Sequence, residues 1–176
     1  MSITKNDHSL LVWALLRIGL GLIFLWAFLD KLFGLGFATC RDKAGEIHTL
    51  CSSSWLDGGS PTTGFLGKAV KGPFADFYHN LAGNALVDWA FMAGLLVVGI
   101  GLTLGIWIRA AAAIAIIMLA LMWSALLWPA NNPVLDDHII YIVALFGIFG
   151  TADQARWSLQ GWWQAMALAK KFPFLR

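Results

Sequence analysis

Four apolar stretches, at about residues 10–29, 86–108, 110–128 and 139–152, constrain this chain more than any other feature. A helix rises about 1.5 Å per residue, so the first three can cross a hydrocarbon core of about 30 Å. Backbone N–H and C=O groups must pair internally in lipid, so such stretches are expected to be helices. Composition agrees: 59% of the 176 residues are hydrophobic, 12% are charged and the mean hydropathy is +0.72, more apolar surface than a soluble domain buries. The expected fold class is an all-α membrane protein. It is read as one domain, 1–176, forming a four-helix transmembrane bundle with a long outer loop (30–85) that contains an interfacial helix, and an amphipathic tail (156–176). The fourth stretch covers only about 21 Å, which draws the polar residues before it to the bilayer edge, or places the helix where the membrane is locally wet.

The first apolar run is too long for a cleaved signal peptide, carries Arg17 and lacks a small-residue cleavage site, so it is expected to remain. Lys5, Arg17, Arg109, Arg156, Lys170, Lys171 and Arg176 fall near one set of helix ends, whereas the loop from Pro129 to Leu135 has no Lys or Arg. By the positive-inside rule this predicts a multi-pass protein of the plasma membrane with both termini cytoplasmic. Arg41, Lys43, Lys68 and Lys71 lie in the long loop, where translocated charge counts weakly. Trp13, Trp107 and Trp157 would mark the inner boundary and Trp26, Trp89 and Trp128 the outer one. The net charge of +2 argues against a nucleic-acid partner; membrane lipid is the expected one.

The loop between the first two stretches is too long for a simple connection and reads as a lid. Its centre, from Ser52 to Gly64, is turn chemistry, and no P-loop lysine pattern follows. After Pro73, residues Phe74, Phe77, Tyr78 and Leu81 recur at helical spacing, which predicts an amphipathic interfacial helix. The tail from Trp157 to Leu175, with Trp162, Trp163, Met166, Lys170 and Lys171, predicts another. Cys40 and Cys51 share the lid, and an oxidising compartment favours a disulfide between them. A thiol exchange couple is the other reading, though Cys-x-x-Cys is missing. Metal binding by Cys40, His48 and Cys51 follows no recognised spacing.

Ionisable groups at the mouth of a membrane helix are costly and ask for a role. Asp137, His138 and Tyr141 are spaced to share one helical face, and Asp88, Trp89, Asp30 and Lys31 are expected at the same depth. Such a set suits a quinone, which needs an apolar cleft, donors for its carbonyls and a proton path. His138 and Tyr141 would meet the headgroup with Trp89 beside it, and Asp137 and Asp88 would carry protons. The alternative is capping and packing, with Asp136 the better pure cap. Arg17 must snorkel, pair or face the interior, and a structural partner such as a helix-end carbonyl stands level with a functional one. Gly94, Gly99, Gly101 and Gly105, with the alanines from Ala110 to Ala113, allow close helix packing. No haem, flavin or metal motif is visible.

Several segments together carry a resemblance: Arg17-Ile18-Gly19 with Lys31-Leu32, Ser54-Trp55-Leu56 through Gly58-Gly59-Ser60-Pro61-Thr62 to Gly64-Phe65-Leu66, Gly72-Pro73-Phe74-Ala75, Gly94 to Gly105 with Arg109-Ala110-Ala111, and Asn132-Pro133 with Asp136-Asp137-His138-Ile139 and Tyr141. The chain resembles the DoxX/DoxD family over nearly its whole length, and within it the large subunit of thiosulfate:quinone oxidoreductase. The resemblance implies a four-helix membrane subunit that, with a small partner subunit, oxidises thiosulfate to tetrathionate and passes electrons to a quinone. Other relatives are thought to serve in redox-homeostasis complexes, which implies the alternative of a non-catalytic scaffold that docks a soluble redox enzyme. Many relatives carry Glu where this chain has Asp88. Lys31, Arg41 and Lys43, with Lys68 and Lys71, would steer a dianion such as thiosulfate.

Overall fold

The computed structural model describes residues 5–42, 44–130 and 132–171. Its long helices are α1 (Lys5–Phe33), α3 (Ala85–Leu104), α4 (Ile108–Ala125) and α5 (Asp137–Gly150); α2 (Ala75–Leu81) lies in the lid, and α6 (Gln160–Ala165) and α7 (Ala167–Lys171) in the tail. Among the described residues there is no strand, only an isolated bridge between Arg41 and Ile47. Three segments, His8–Phe33, Ala85–Leu104 and Ile108–Ala125, are long and apolar enough to cross a membrane. The fourth, α5, has 14 residues and reaches only about 21 Å.

Local chemistry sets the helix ends. The side chain of Asn84 accepts hydrogen bonds from the N–H groups of Leu86 (3.0 Å) and Val87 (3.4 Å) and so caps α3. Gly105, at φ 68°, turns the chain out of the other end while its N–H reaches the Gly101 carbonyl. Helix α3 therefore stops short of the sequence expectation of 108, and Arg109 is helical in the first turn of α4. There it meets Asp153 at 2.5 Å instead of sitting in a connecting loop.

Helix α1 packs on α3, α3 on α4, α4 on α5, and α5 returns to α1. The shared core includes Leu20, Phe24, Val98, Leu102, Leu145 and Ile148. Small residues bring the backbones together: a Cβ on Gly99 would sit 2.8 Å from the Leu25 backbone, and Ala111, Ala112 and Ala115 of α4 are fully buried. The outward faces are the reverse of a soluble protein's, with Leu15, Ile23, Ile117, Leu121, Val143 and Phe146 all exposed. In water that surface would be an association hazard; in lipid it is solvated.

The lid is folded onto one end of the helices, the end formed by the close of α1 and the starts of α3 and α5. Cys40 and Cys51 form a disulfide with Cα atoms 5.7 Å apart. The N–H groups of Trp55 and Leu56 donate to the Lys31 and Leu32 carbonyls in the last turn of α1. A π-helical turn, Phe65–Ala69, packs on α2, whose Tyr78 is buried and donates to the Leu121 carbonyl of α4 at 3.1 Å. At the opposite end the tail forms two short helices where one was expected. The chain is extended at Met166, between α6 and α7, and the expected stretch beyond Lys171 lies outside the described residues.

Candidate functional site

Helix α5 begins in a hollow of about 520 Å³, lined by Asp136, Asp137 and His138 on one side, Lys71 and Ala69 of the lid on another, and Leu126, Trp128, Pro129, Ala130 and Leu135 between them. The local sequence builds it. The Asn132 side chain accepts from the N–H groups of Val134 and Leu135 at 2.9 and 2.8 Å, which turns the chain. The Trp123 indole donates to the Val134 carbonyl at 2.8 Å and pins that turn to α4. Asp136 then caps α5, its Oδ1 accepting from the N–H groups of His138 and Ile139.

Asp136 also holds His138. Its Oδ2 lies 2.8 Å from the imidazole Nδ1, and both side chains are only 18% exposed. The pair fixes the ring and leaves Nε2 to face other partners, the arrangement that orients a proton-transferring imidazole. Asp137 is exposed beside it, and among the described residues neither Asp137 nor Lys71 forms an ion pair.

The other polar residues expected at this end are occupied. Asp30 is 1% exposed, and its two carboxylate oxygens accept from the N–H groups of Phe37 and Ala38, each at 3.0 Å. Asp88 is likewise buried; its Oδ1 accepts from the Ser60 hydroxyl at 2.9 Å, the Thr62 hydroxyl at 2.5 Å and the Thr62 N–H at 3.3 Å. It fastens the lid to α3 and does not line the hollow. Trp89 stacks edge-on against Trp55, with centroids 4.6 Å apart, and also lies off the hollow. Tyr141 instead lines an apolar groove on α1 formed by Val12, Leu15, Leu16, Gly19, Leu20 and Ile23. His138 and Tyr141 thus belong to different surfaces, although they are one turn apart.

Of the expected anion-steering residues, Lys31 is half-buried next to Asp30, Arg41 lies over the Phe37 ring at 5.9 Å, and Lys43 lies outside the described residues. The lysine at the hollow is Lys71, which sequence reasoning counted among the lid charges without placing it there. The cysteines are joined to each other, and His48 instead approaches Asp42 at 3.6 Å and Glu46 at 3.9 Å. The ligand atoms of these three exposed residues lie within 4.8 Å of one another, close enough for one cation, a grouping that the sequence reading did not pick out. The N–H of Glu46, followed by that of Ala44 and the His48 side chain, holds the Asp42 carboxyl below the ordinary aspartate range.

Arg17 meets backbone carbonyls. It is 2% exposed and donates through Nη1 to the Leu102 carbonyl at the end of α3, and through Nη2 to the carbonyls of Arg156 (3.1 Å) and Trp157 (2.9 Å).

Fold and site define an all-helical protein with three membrane-length helices and a polar-edged hollow where the short helix α5 begins. Compared with protein-family models, curated proteins and solved structures, the chain finds no match.

Proposed function

We propose that this chain is the quinone-binding membrane subunit of an oxidoreductase of the DoxX/DoxD type, with thiosulfate as electron donor. In this reading α1, α3, α4 and α5 form a transmembrane bundle, α2 lies in the outer interface, both termini are cytoplasmic and the lid faces outward. The observation that carries it is the hollow, where apolar walls meet the oriented His138 imidazole, the exposed Asp137 carboxylate and Lys71. Its volume is within the range of small-molecule sites, and its lining has the composition a flat ring with carbonyl edges requires.

In the reaction, two thiosulfate ions lose one electron each and join through a new S–S bond, while the quinone takes up two electrons and two protons. A bound quinone supplies the electron acceptor. The protein supplies proton transfer, with His138 Nε2 at the headgroup, Asp136 holding the ring through Nδ1, and Asp137 linking the hollow to water. Two carboxylates set against one lysine make the hollow a poor trap for a dianion. Thiosulfate is therefore assigned to a separate place, under the field of Lys31, Arg41 and Lys68 or on a partner subunit.

The test is quinone binding and thiosulfate-dependent quinone reduction by the purified protein, alone and with a small partner subunit, in wild type and His138→Ala. Turnover in wild type that falls by about 100-fold or more in His138→Ala supports the reading, as expected for loss of a general acid–base group. A chain that binds no quinone and co-purifies with a stoichiometric soluble redox enzyme would instead be a scaffold.

A further inference from the structure

The proposed headgroup hollow has a second polar wall, and it belongs to the lid. We propose that Lys71 sets ligand preference there, favouring a carbonyl or deprotonated oxygen over a neutral hydroxyl on the lid side of a bound ring; this rests on the quinone reading above.

The position of Lys71 is built by its neighbours. Val70 is buried, packed with Tyr78 of α2 and Ala125 of α4. Gly72, at φ 97°, runs so close to the loop after α4 that a Cβ there would lie 1.6 Å from the Leu127 carbonyl oxygen. The backbone on both sides of Lys71 is thus anchored against α4 and its loop, and the side chain is left at the edge of the hollow. It forms no ion pair among the described residues, so its donors are available to a ligand.

An ammonium has three donors and no acceptor. It satisfies a carbonyl or an ionised oxygen fully, whereas a hydroxyl facing it must send its own proton elsewhere. The opposite wall differs: Asp137 accepts, and His138 Nε2 can donate or accept according to tautomer. The hollow is therefore directional, with a donor-only lid side and an α5 side that accommodates either form. Asp136 and Asp137 together outweigh the charge of Lys71, so the preference acts at one oxygen beside the ammonium and does not make the whole hollow an anion site.

Two naphthoquinones separate these effects: lawsone, a hydroxynaphthoquinone ionised at neutral pH, and menadione, a neutral analogue. Binding to the full chain in detergent is measured for wild type, Lys71→Met, Lys71→Gln, Lys71→Arg and Asp137→Asn. The expected result is that the preference for lawsone relative to menadione depends on the charge of Lys71. Both charge-free variants should lose about tenfold in lawsone affinity, as for one charge-assisted hydrogen bond, and markedly less for menadione. Lys71→Arg should keep the preference, and Asp137→Asn should strengthen lawsone binding. The two charge-free variants cross-check each other, with unfolding temperature as the control for folding. Equal weakening of both ligands would reduce Lys71 to lid packing and overturn the inference. Unchanged binding of both would show that Lys71 does not reach the ligand, with the same consequence. Failure of wild type to bind either compound would overturn the quinone reading itself, and this inference with it.

Discussion

A guanidinium buried in a membrane-length helix needs acceptors, and Arg17 finds carbonyl oxygens at the end of α3 and in the segment leading to α6. The negative end of the α3 dipole adds to that environment. Arg17→Met leaves these buried acceptors without a donor and is expected to destabilise the protein by about 1–3 kcal/mol, read as a lower unfolding temperature in detergent. Arg17→Lys should rescue little, because a single ammonium cannot bridge acceptors the way a planar fork does. The arginine was legible as a problem from its position in an apolar run, but the sequence left a helix-end carbonyl and a functional partner equally open, because the carbonyls it meets come from segments 85 and 139–140 residues away. Asp42 gives a second residue-scale prediction. Its folded-state pKa lies below its unfolded value, so its contribution to the lid is present above the ordinary aspartate value of about 3.9 and is lost as pH falls through the lower folded value. A pH titration of the His48 ring and the Glu46 amide by NMR should show the Asp42 transition below that value; a transition above it would refute the assigned contacts.

Elements explain why the carboxylates of this chain are not equivalent. Asp88 was expected to carry protons, but the lid folds so that Ser60 and Thr62 both donate to it. That arrangement depends on a turn tens of residues upstream and is invisible to helical periodicity. The expected shared face of His138 and Tyr141 met a similar limit. Residues three apart differ by about 60° around a helix, and α5 lies between α4 and α1, so one side chain reaches the hollow and the other the groove on α1. The cap was legible, because Asp followed by an apolar run is a helix-start signal, and Asp136 occupies it. If Asp88 fastens the lid, Asp88→Asn keeps an acceptor oxygen and should retain most turnover, whereas Asp88→Ala should loosen residues 58–64 and raise their proteolysis severalfold. Loss of turnover in Asp88→Asn with an intact lid would restore the proton-carrying role. Gly72→Ala should be worse for the lid than either, since it combines a left-handed backbone with a direct clash on Leu127. The cost is expected to be at least about 1–2 kcal/mol from the backbone conformation alone, seen as faster hydrogen exchange across Phe65–Ala69 and α2.

At the scale of the molecule, the apolar stretches made the helices legible because lipid leaves a chain few choices, while the lid, rich in turns and polar contacts, became readable only through its tertiary partners. The proposed orientation makes a prediction for the whole chain. Cys40 and Cys51 are joined to each other, so a single introduced cysteine can report accessibility to a charged, membrane-impermeant thiol reagent. Asp57 is exposed in the lid, Ala165 is exposed in the tail, and Ile140 is 59% exposed on α5, one turn along from the hollow. In intact cells, Asp57→Cys and Asp137→Cys should label from outside, and Ala165→Cys only after permeabilisation. Ile140→Cys should stay unlabelled in both conditions if lipid covers that face. Labelling of Ile140→Cys would show water, or a water-filled contact with another subunit, along α5, which at about 21 Å is the helix least able to span the bilayer unaided. The opposite pattern for Asp57 and Ala165 would invert the orientation and place the hollow in the cytoplasm, where an extracytoplasmic electron donor could not reach its lid.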